Sequence, residues 1–279
     1  MALPKGSKSE EEAYSDYDWV IVTLYRKLTK NYSKSTIPSQ IDFSLDDVRT
    51  AVRESVAAGR IPKIIKNVAD IKYTYDARRD FPAEMTQAFP ITWLSHKKGQ
   101  YYFRRTKRKN IIDLSSICKK IPRLEYVVDQ TPVFNSKLMG NDEQAVFARV
   151  RYAGIFNQLL GFQANPVQGH HRTSVHYGQV EVDEVQAGLD GQVGVIVPIS
   201  GKGGQDKLSW SQALNLNTYG TACLKRYGVI SPPLTGTKVR SLCLWMDKKS
   251  SEIWIVEFSE QDDDIDKIEA VMTRRFKFV

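Results

Sequence analysis

The 279-residue chain is poor in cysteine: Cys118, Cys223 and Cys243 are far apart and form no Cys-x-x-Cys. Disulfide scaffolds and zinc ribbons need clustered cysteines, so neither is expected, and a reducing cytoplasm fits. No run reaches the ~18 apolar residues of a membrane helix, and MALPKGSKSEEEAYSD at the start holds no apolar core of a secretion signal. A membrane partner is therefore not expected. A zinc-protease His-Glu-x-x-His is also missing. Lys202-Gly-Gly-Gln-Asp-Lys207 lies between a strand and a helix but lacks the Gly-Lys-Ser/Thr ending of a nucleotide loop. His170, His171 and His176 have no cysteine nearby, so they read as solvent-exposed or phosphate-contacting residues. No internal repeat is visible. What is present, 42% hydrophobic and 26% charged residues, makes a globular chain.

Charge is unevenly spread. Residues 60–123 hold 16 Lys/Arg against 5 Asp/Glu, which exceeds the whole chain's formal charge of +8. Within this block Tyr101-Tyr-Phe-Arg-Arg-Thr-Lys-Arg-Lys109 interleaves aromatics with cations. Clustered cations are the electrostatic footprint of a polyphosphate partner, because neutralising phosphates releases condensed counterions.

Hydrophobic spacing predicts two modules. Residues 18–32 read as a helix. Ser44 is placed to cap a second helix, which Asp46 and Asp47 suit at its positive end and which stops near Gly59. Pro90–Ser95 and Gln100–Arg104 form a predicted hairpin around His96–Gly99. Two helices and a basic hairpin suit a winged-helix-like DNA reader with Lys97 and Lys98 at the wing tip. Residues 122–141 read as a connector, and a strong apolar helix is predicted from about 143 to 161. Beyond a polar stretch at 168–176, strands at 179–185 and 193–199 flank Asp190-Gly191, a strong hairpin signal. A helix from Ser209 to about Tyr227 and strands at 239–246 and 253–258 follow. The acidic run at 260–264 reads as a cap before a terminal basic helix or strand. Residues 1–125 are thus expected to form a basic N-terminal domain and 126–279 a second domain.

The hairpin carries chemistry. A turn centred on 190–191 or 191–192 places Asp183 opposite Pro198 or Ser200, and Lys202 opposite Gln179 or Glu181. Either way two acids and a lysine meet at its open end. Such a cluster can hold Mg2+ through carboxylate oxygens and set an ammonium beside a phosphate.

The order Glu143 in a first helix, Val180-Glu-Val-Asp-Glu184, Val197-Pro-Ile-Ser-Gly-Lys-Gly-Gly204 and then a helix with Gln212 resembles the PD-(D/E)XK nuclease superfamily, and restriction endonucleases in particular. The resemblance spans about residues 140–260. It implies an α/β fold (α+β overall) with an αβββαβ core on a mixed sheet. It implies that Asp183 is the metal-binding aspartate, that Lys202 is the lysine of the (D/E)-x-K element, that Glu143 is an additional helix acid, and that Gln212 lies near the phosphate. Ser200 departs from the pattern, which has Glu, Asp or Gln there. The ligand set is then Asp183, Glu143, Glu181 and Ser200, with Glu181 recruited as the second acid.

The resulting expectation is a Mg2+-dependent restriction endonuclease, with Mn2+ the alternative ion, acting on double-stranded DNA as a cytoplasmic homodimer beside a cognate DNA methyltransferase. DNA contacts are expected from Lys97, Lys98, Arg104, Arg105, Lys107, Arg108, Lys109, His170, His171 and Arg172. Two other readings stand beside it. Ser200 favours a DNA-binding protein on a nuclease scaffold that no longer cuts, and the aromatic–basic stretch favours an RNA-binding or RNA-processing protein.

Overall fold

The computed structural model describes residues 14–120, 123–138, 143–203, 207–227, 235–247 and 252–279. The chain divides into two compact units, Met1–Asn110 and Ile111–Val279. Among the described residues no helix is long and apolar enough to cross a membrane.

In the first unit, α1 (Asp16–Thr29) starts at Ser15, whose hydroxyl accepts from the Asp18 amide while the Asp18 carboxylate accepts from the Ser15 amide. After β1 (Gln40–Ser44), Ser44 and Asp47 repeat this reciprocal cap at α2 (Leu45–Ala57). Then come α3 (Ala69–Ala77), α4 (Ala83–Thr86), β2 (Ile91–Lys97) and β3 (Gln100–Arg105). The three strands form an antiparallel sheet in the order β1-β3-β2. Its core gathers Val20, Ile21, Leu24, Phe43, Val52, Trp93 and Phe103. β1, α3 and α4 escape a reading by periodicity: β1 buries only Phe43, and α3 has no side-chain cap.

The second unit runs β4 (Ile111–Ile112), α5 (Leu114–Lys119), β5 (Leu124–Val127), α6 (Val133–Leu138), α7 (Glu143–Tyr152), α8 (Ile155–Leu160), β6 (Ala164–Val175), β7 (Gly178–Asp190), β8 (Val193–Gly203), β9 (Leu208–Ser209) and α9 (Trp210–Tyr227). It closes with β10 (Gly236–Val239), β11 (Ser241–Asp247), β12 (Glu252–Phe258) and β13 (Ala270–Phe278). The fold is mixed α/β around an eight-stranded mixed sheet, ordered β5-β13-β12-β11-β8-β7-β6, with β10 also beside β8. β6, β7 and β8 are an antiparallel meander, and β10 and β11 both run parallel to β8. Val195, Val197 and Ile199 of β8 and Leu242 and Leu244 of β11 meet α7 and α8 on one face. Cys243, Trp254 and Val256 meet Ala213 and Leu214 of α9 on the other. This is the period-two alternation of strands buried on both sides.

Four expectations need correction. The boundary falls at 110/111 and not at 125/126, because β4 pairs with β9 and β5 pairs with β13. The expected connector therefore contains an edge strand. The helix expected over 143–161 is two helices, broken at Gly154, whose φ of 65° is left-handed. Residues 168–175 of the polar stretch belong to β6, an outer strand whose exposed polar residues hide its character. The strand expected over 239–246 is split at Arg240, between β10 and β11.

Candidate active site

The β7–β8 register, Asp190↔Val193 through Glu184↔Ile199, selects the turn centred on Gly191-Gln192. Continued one step, it sets Asp183 against Ser200. β8 runs unbroken through Ser200, Gly201 and Lys202. There it lies beside β11, with Ser200 level with Cys243 and Lys202 with Trp245.

β7 loses its alternation at this point. Val180, Val182 and Val185 all join the cluster around Leu216 and Tyr219 of α9. Strict period two would turn Val182 and Val185 to opposite faces. Between them, Asp183 and Glu184 are adjacent and both buried.

The two acids are treated differently. Oε2 of Glu184 accepts from Arg151 Nη1 at 2.5 Å and Oε1 from Gln186 at 2.6 Å. Oδ2 of Asp183 accepts from the Gly201 amide at 2.7 Å, with the Ser200 hydroxyl at 3.5 Å. Its Oδ1 accepts no hydrogen bond among the described residues and faces His170 Nδ1 at 3.9 Å. Burial pushes the Asp183 carboxyl above the usual range and the Glu181 charge adds to this; the Gly201 amide, Lys202 and His170 pull the other way.

Other buried acids show how unusual this is. Asp18 lies against Arg79, Glu184 against Arg151, Glu252 against Arg275 and Glu257 against Arg240. Among the described residues, Asp183 is the one buried acid without an arginine partner. A buried carboxylate with so little neutralisation costs stability, and such groups gather at functional sites.

Gly201 is the hinge of the arrangement. A Cβ there would stand 2.8 Å from Cε2 of Phe147 and 3.7 Å from Asp183 Oδ2. Only a bare backbone lets α7 close over β8 while the amide reaches the acid. Glu143 opens α7 one turn before Phe147; its side chain lies outside the described residues.

Glu181 is exposed, and its Oε1 lies 3.3 Å from His170 Nε2. The structure thus brings together Asp183, Glu181, Ser200, Lys202 and His170. Gln212 is engaged elsewhere: its Oε1 accepts from the Ser209 backbone amide and its backbone amide donates to the Ser209 hydroxyl, which caps α9. His171 turns toward α9, its Nδ1 2.9 Å from the Tyr219 hydroxyl. Arg172 is exposed and paired in register with Glu181. His170 was expected as a DNA contact, not as a neighbour of the acids; only the β6–β7 pairing puts it there.

In the first unit Lys97, Lys98, Arg105, Lys107 and Lys109 are exposed, while Arg104 and Arg108 are half-buried. Arg105 stacks 4.4 Å above Phe89. Phe103 and Tyr102 are buried.

Among the described residues no three His, Cys, Asp or Glu side chains form a ready cage for an ion. Mg2+ does not need one, since it keeps several waters and takes one or two carboxylates plus substrate phosphates. The unbonded Asp183 oxygen beside Glu181 fits that demand. Comparison with protein-family models, curated proteins and solved structures finds no match for this chain.

Proposed function

We propose that the second unit is the catalytic half of a metal-dependent endonuclease and that the first supplies affinity for DNA. The observation that carries this reading is the buried carboxylate of Asp183, without an arginine partner among the described residues and set beside Glu181 and Lys202 at the open end of a hairpin. The order of helix, three-stranded meander, helix and parallel strand supports a PD-(D/E)XK-type core around it. The order α1, β1, α2, α3, α4, β2, β3 with the sheet β1-β3-β2 supports a winged-helix-like reader with Lys97 and Lys98 at its tip. In the form proposed, the protein is a restriction enzyme working on double-stranded DNA as a homodimer, beside a cognate methyltransferase.

Asp183 and Glu181 would hold Mg2+ through carboxylate oxygens, with Glu143 as a further acid. The ion would supply Lewis-acid stabilisation of charge on the phosphate. The Gly201 amide fixes the Asp183 carboxylate by one oxygen and leaves the other for binding. Lys202, which makes no ion pair among the described residues, offers its ammonium to the scissile phosphate or an attacking water. Ser200 is occupied with the same carboxylate and adds no charge. That neutrality favours a second reading, a DNA-binding protein that does not cut. Of the aromatics behind the RNA reading, Tyr102 and Phe103 are buried and Tyr101 is half-buried, which leaves that reading less support than the DNA one.

The test is incubation of the purified protein with plasmid DNA and with structured RNA, each with Mg2+ or EDTA. Discrete Mg2+-dependent DNA fragments are expected. Asp183→Asn and Lys202→Ala should each lower cutting by about 10³-fold or more, with DNA binding retained. Full cleavage by Asp183→Asn would remove this site from consideration.

A further inference from the structure

The second unit leaves large apolar side chains uncovered at one corner. Tyr126 and Val128, at the end of β5, and Val133, Phe134 and Leu138, on α6, are between 64% and 73% exposed. Phe134 and Leu138 are four residues apart and so share a face of α6. Among the described residues, none of α6 joins a hydrophobic cluster of the chain. Two bonds to α7 hold these pieces together. Asn135 donates to the Tyr152 hydroxyl at 2.8 Å, and Arg149 donates to Asp129, just past β5, at 2.6 Å. Tyr152 is itself 42% exposed. With about 150–250 Å² per large side chain, these residues leave roughly 700–800 Å² of surface uncovered. A monomer's largest apolar patch is about 300–600 Å², whereas a standard interface takes about 800 Å² from each partner.

We propose that this corner is the surface through which two copies of the chain associate about a twofold axis. The homodimer of the reading above had no surface assigned; this one stands on apolar area and needs no cutting activity. A twofold brings a patch against itself, so the patch must be apolar and free of opposing like charges. Residues 124–138 hold three charged side chains, Glu125, Asp129 and Lys137. Arg274 neutralises Glu125 and Arg149 neutralises Asp129 within the chain, while Lys137 lies exposed in the last turn of α6. Homodimer interfaces are the more apolar kind and are depleted of charge at their centre, which favours a second copy over a partner of different chemistry. The opposite edge of the sheet is guarded. β6 carries Pro166, a register shift between Pro166 and Gln168, and a left-handed His170 with φ of 40°. β5 has no proline and an unbroken register with β13. It is only four residues long, so apolar area and not backbone pairing must supply the drive.

The test is sedimentation of the full chain, without DNA, over a range of concentrations. The wild type should form a dimer with Kd in the micromolar range or below, as expected for about 1,500 Å² of total interface. Phe134→Asp combined with Leu138→Asp should raise Kd by about 100-fold or more. Both positions are exposed, so circular dichroism should show an unchanged fold. Tyr126→Glu, on β5 instead of α6, repeats the test and should raise Kd by about 10-fold or more. Leu189→Asp, at an exposed apolar residue far along β7, should leave Kd within about threefold. A wild type that stays monomeric at about 100 μM overturns the proposal, because a Kd above that is weaker than a standard interface provides. So does a dimer that both the α6 and the β5 variants leave intact, or one that Leu189→Asp disrupts as strongly. Plasmid incubation with Mg2+ separates this surface from the nuclease reading. Cutting by a monomer leaves the nuclease standing without this interface. A dimer lost with Phe134 and Leu138, in a protein that cuts nothing, leaves the interface standing without the nuclease.

Discussion

The two units handle charge in opposite ways. Residues 1–110 hold 21 Lys/Arg and 13 Asp/Glu, so they carry the whole excess, whereas 111–279 hold 19 of each. The basic unit keeps most of its surplus cations at the surface, on a hairpin tip and the segment after β3. The neutral unit buries acids instead, and balances three of them with arginine while leaving Asp183 without one. Surface cations suit long-range attraction, which is sequence-tolerant and screened by salt. A buried carboxylate held by one backbone amide suits a local task. On the proposed reading, net charge marks the unit that would face DNA, and the missing counter-charge marks the candidate site.

The balanced acids offer the sharpest way to break this contrast. Arg240 donates to both oxygens of Glu257, at 2.6 and 2.7 Å. Arg240→Ala strands that carboxylate and should cost about 3 kcal/mol, lowering the melting midpoint by roughly 6–12 °C. Calorimetry on the full chain checks it. A loss below about 1 kcal/mol would mean that buried acids here need no partner, and Asp183 would no longer stand out.

The second prediction concerns the basic unit. Lys97, Lys98, Lys107 and Lys109 are better probes than the arginines, since Arg105 also packs on Phe89 and Arg104 and Arg108 are half-buried. Replacing all four by Ala should make the slope of log affinity against log salt shallower by up to about 3.6, at about 0.9 per phosphate contact. DNA affinity at moderate salt should fall by roughly 10²-fold. An unchanged slope would mean that these cations merely face solvent.

Ser200→Glu tests whether a charge is missing from the site. If Glu181 already serves as the second acid, cleavage should change by no more than about 10-fold. A rise well beyond that in plasmid assays would identify the natural protein as an impaired nuclease.

The smallest effect expected is a gain. Burial raises the Asp183 carboxyl, so its ionised form is disfavoured in the folded state. A carboxyl with a raised folded pKa stabilises the fold only while protonated, and that contribution is lost as pH rises through the folded value. At neutral pH Asp183→Asn should therefore be more stable than the wild type, by about 2–4 °C in melting midpoint for ~1 kcal/mol. The gain should shrink as pH falls below about 4, where both states of the wild type are protonated. Thermal scans at pH 7 and pH 3.5 decide this. A destabilised variant at pH 7 would show that the Gly201 bond outweighs burial.

Local chemistry was legible in the residues. Ser44 with Asp47 three positions on announces a helix start, and Asp190-Gly191 between apolar runs announces a hairpin, because caps and turns are satisfied within a few residues of chain. The same hairpin brought Asp183, Glu181 and Lys202 together on paper, leaving two registers open. β5 and β6 were not legible, since an outer strand has one open edge and little need of apolar alternation. Nor was the role of Gly154, because the helical spacing of apolar residues carries on across it.

Sequence by itself determined the caps, the hairpin turn, the alternation of β8 and the block of positive charge, all set by neighbours in the chain. Tertiary structure alone decided which buried acids receive an arginine, where Gly201 must be bare and which of two adjacent histidines faces the site. Arg151 lies 33 residues from Glu184, and Arg240 17 from Glu257. Pairings over such spans are fixed only when the sheet closes, and burial then makes an unpaired charge costly.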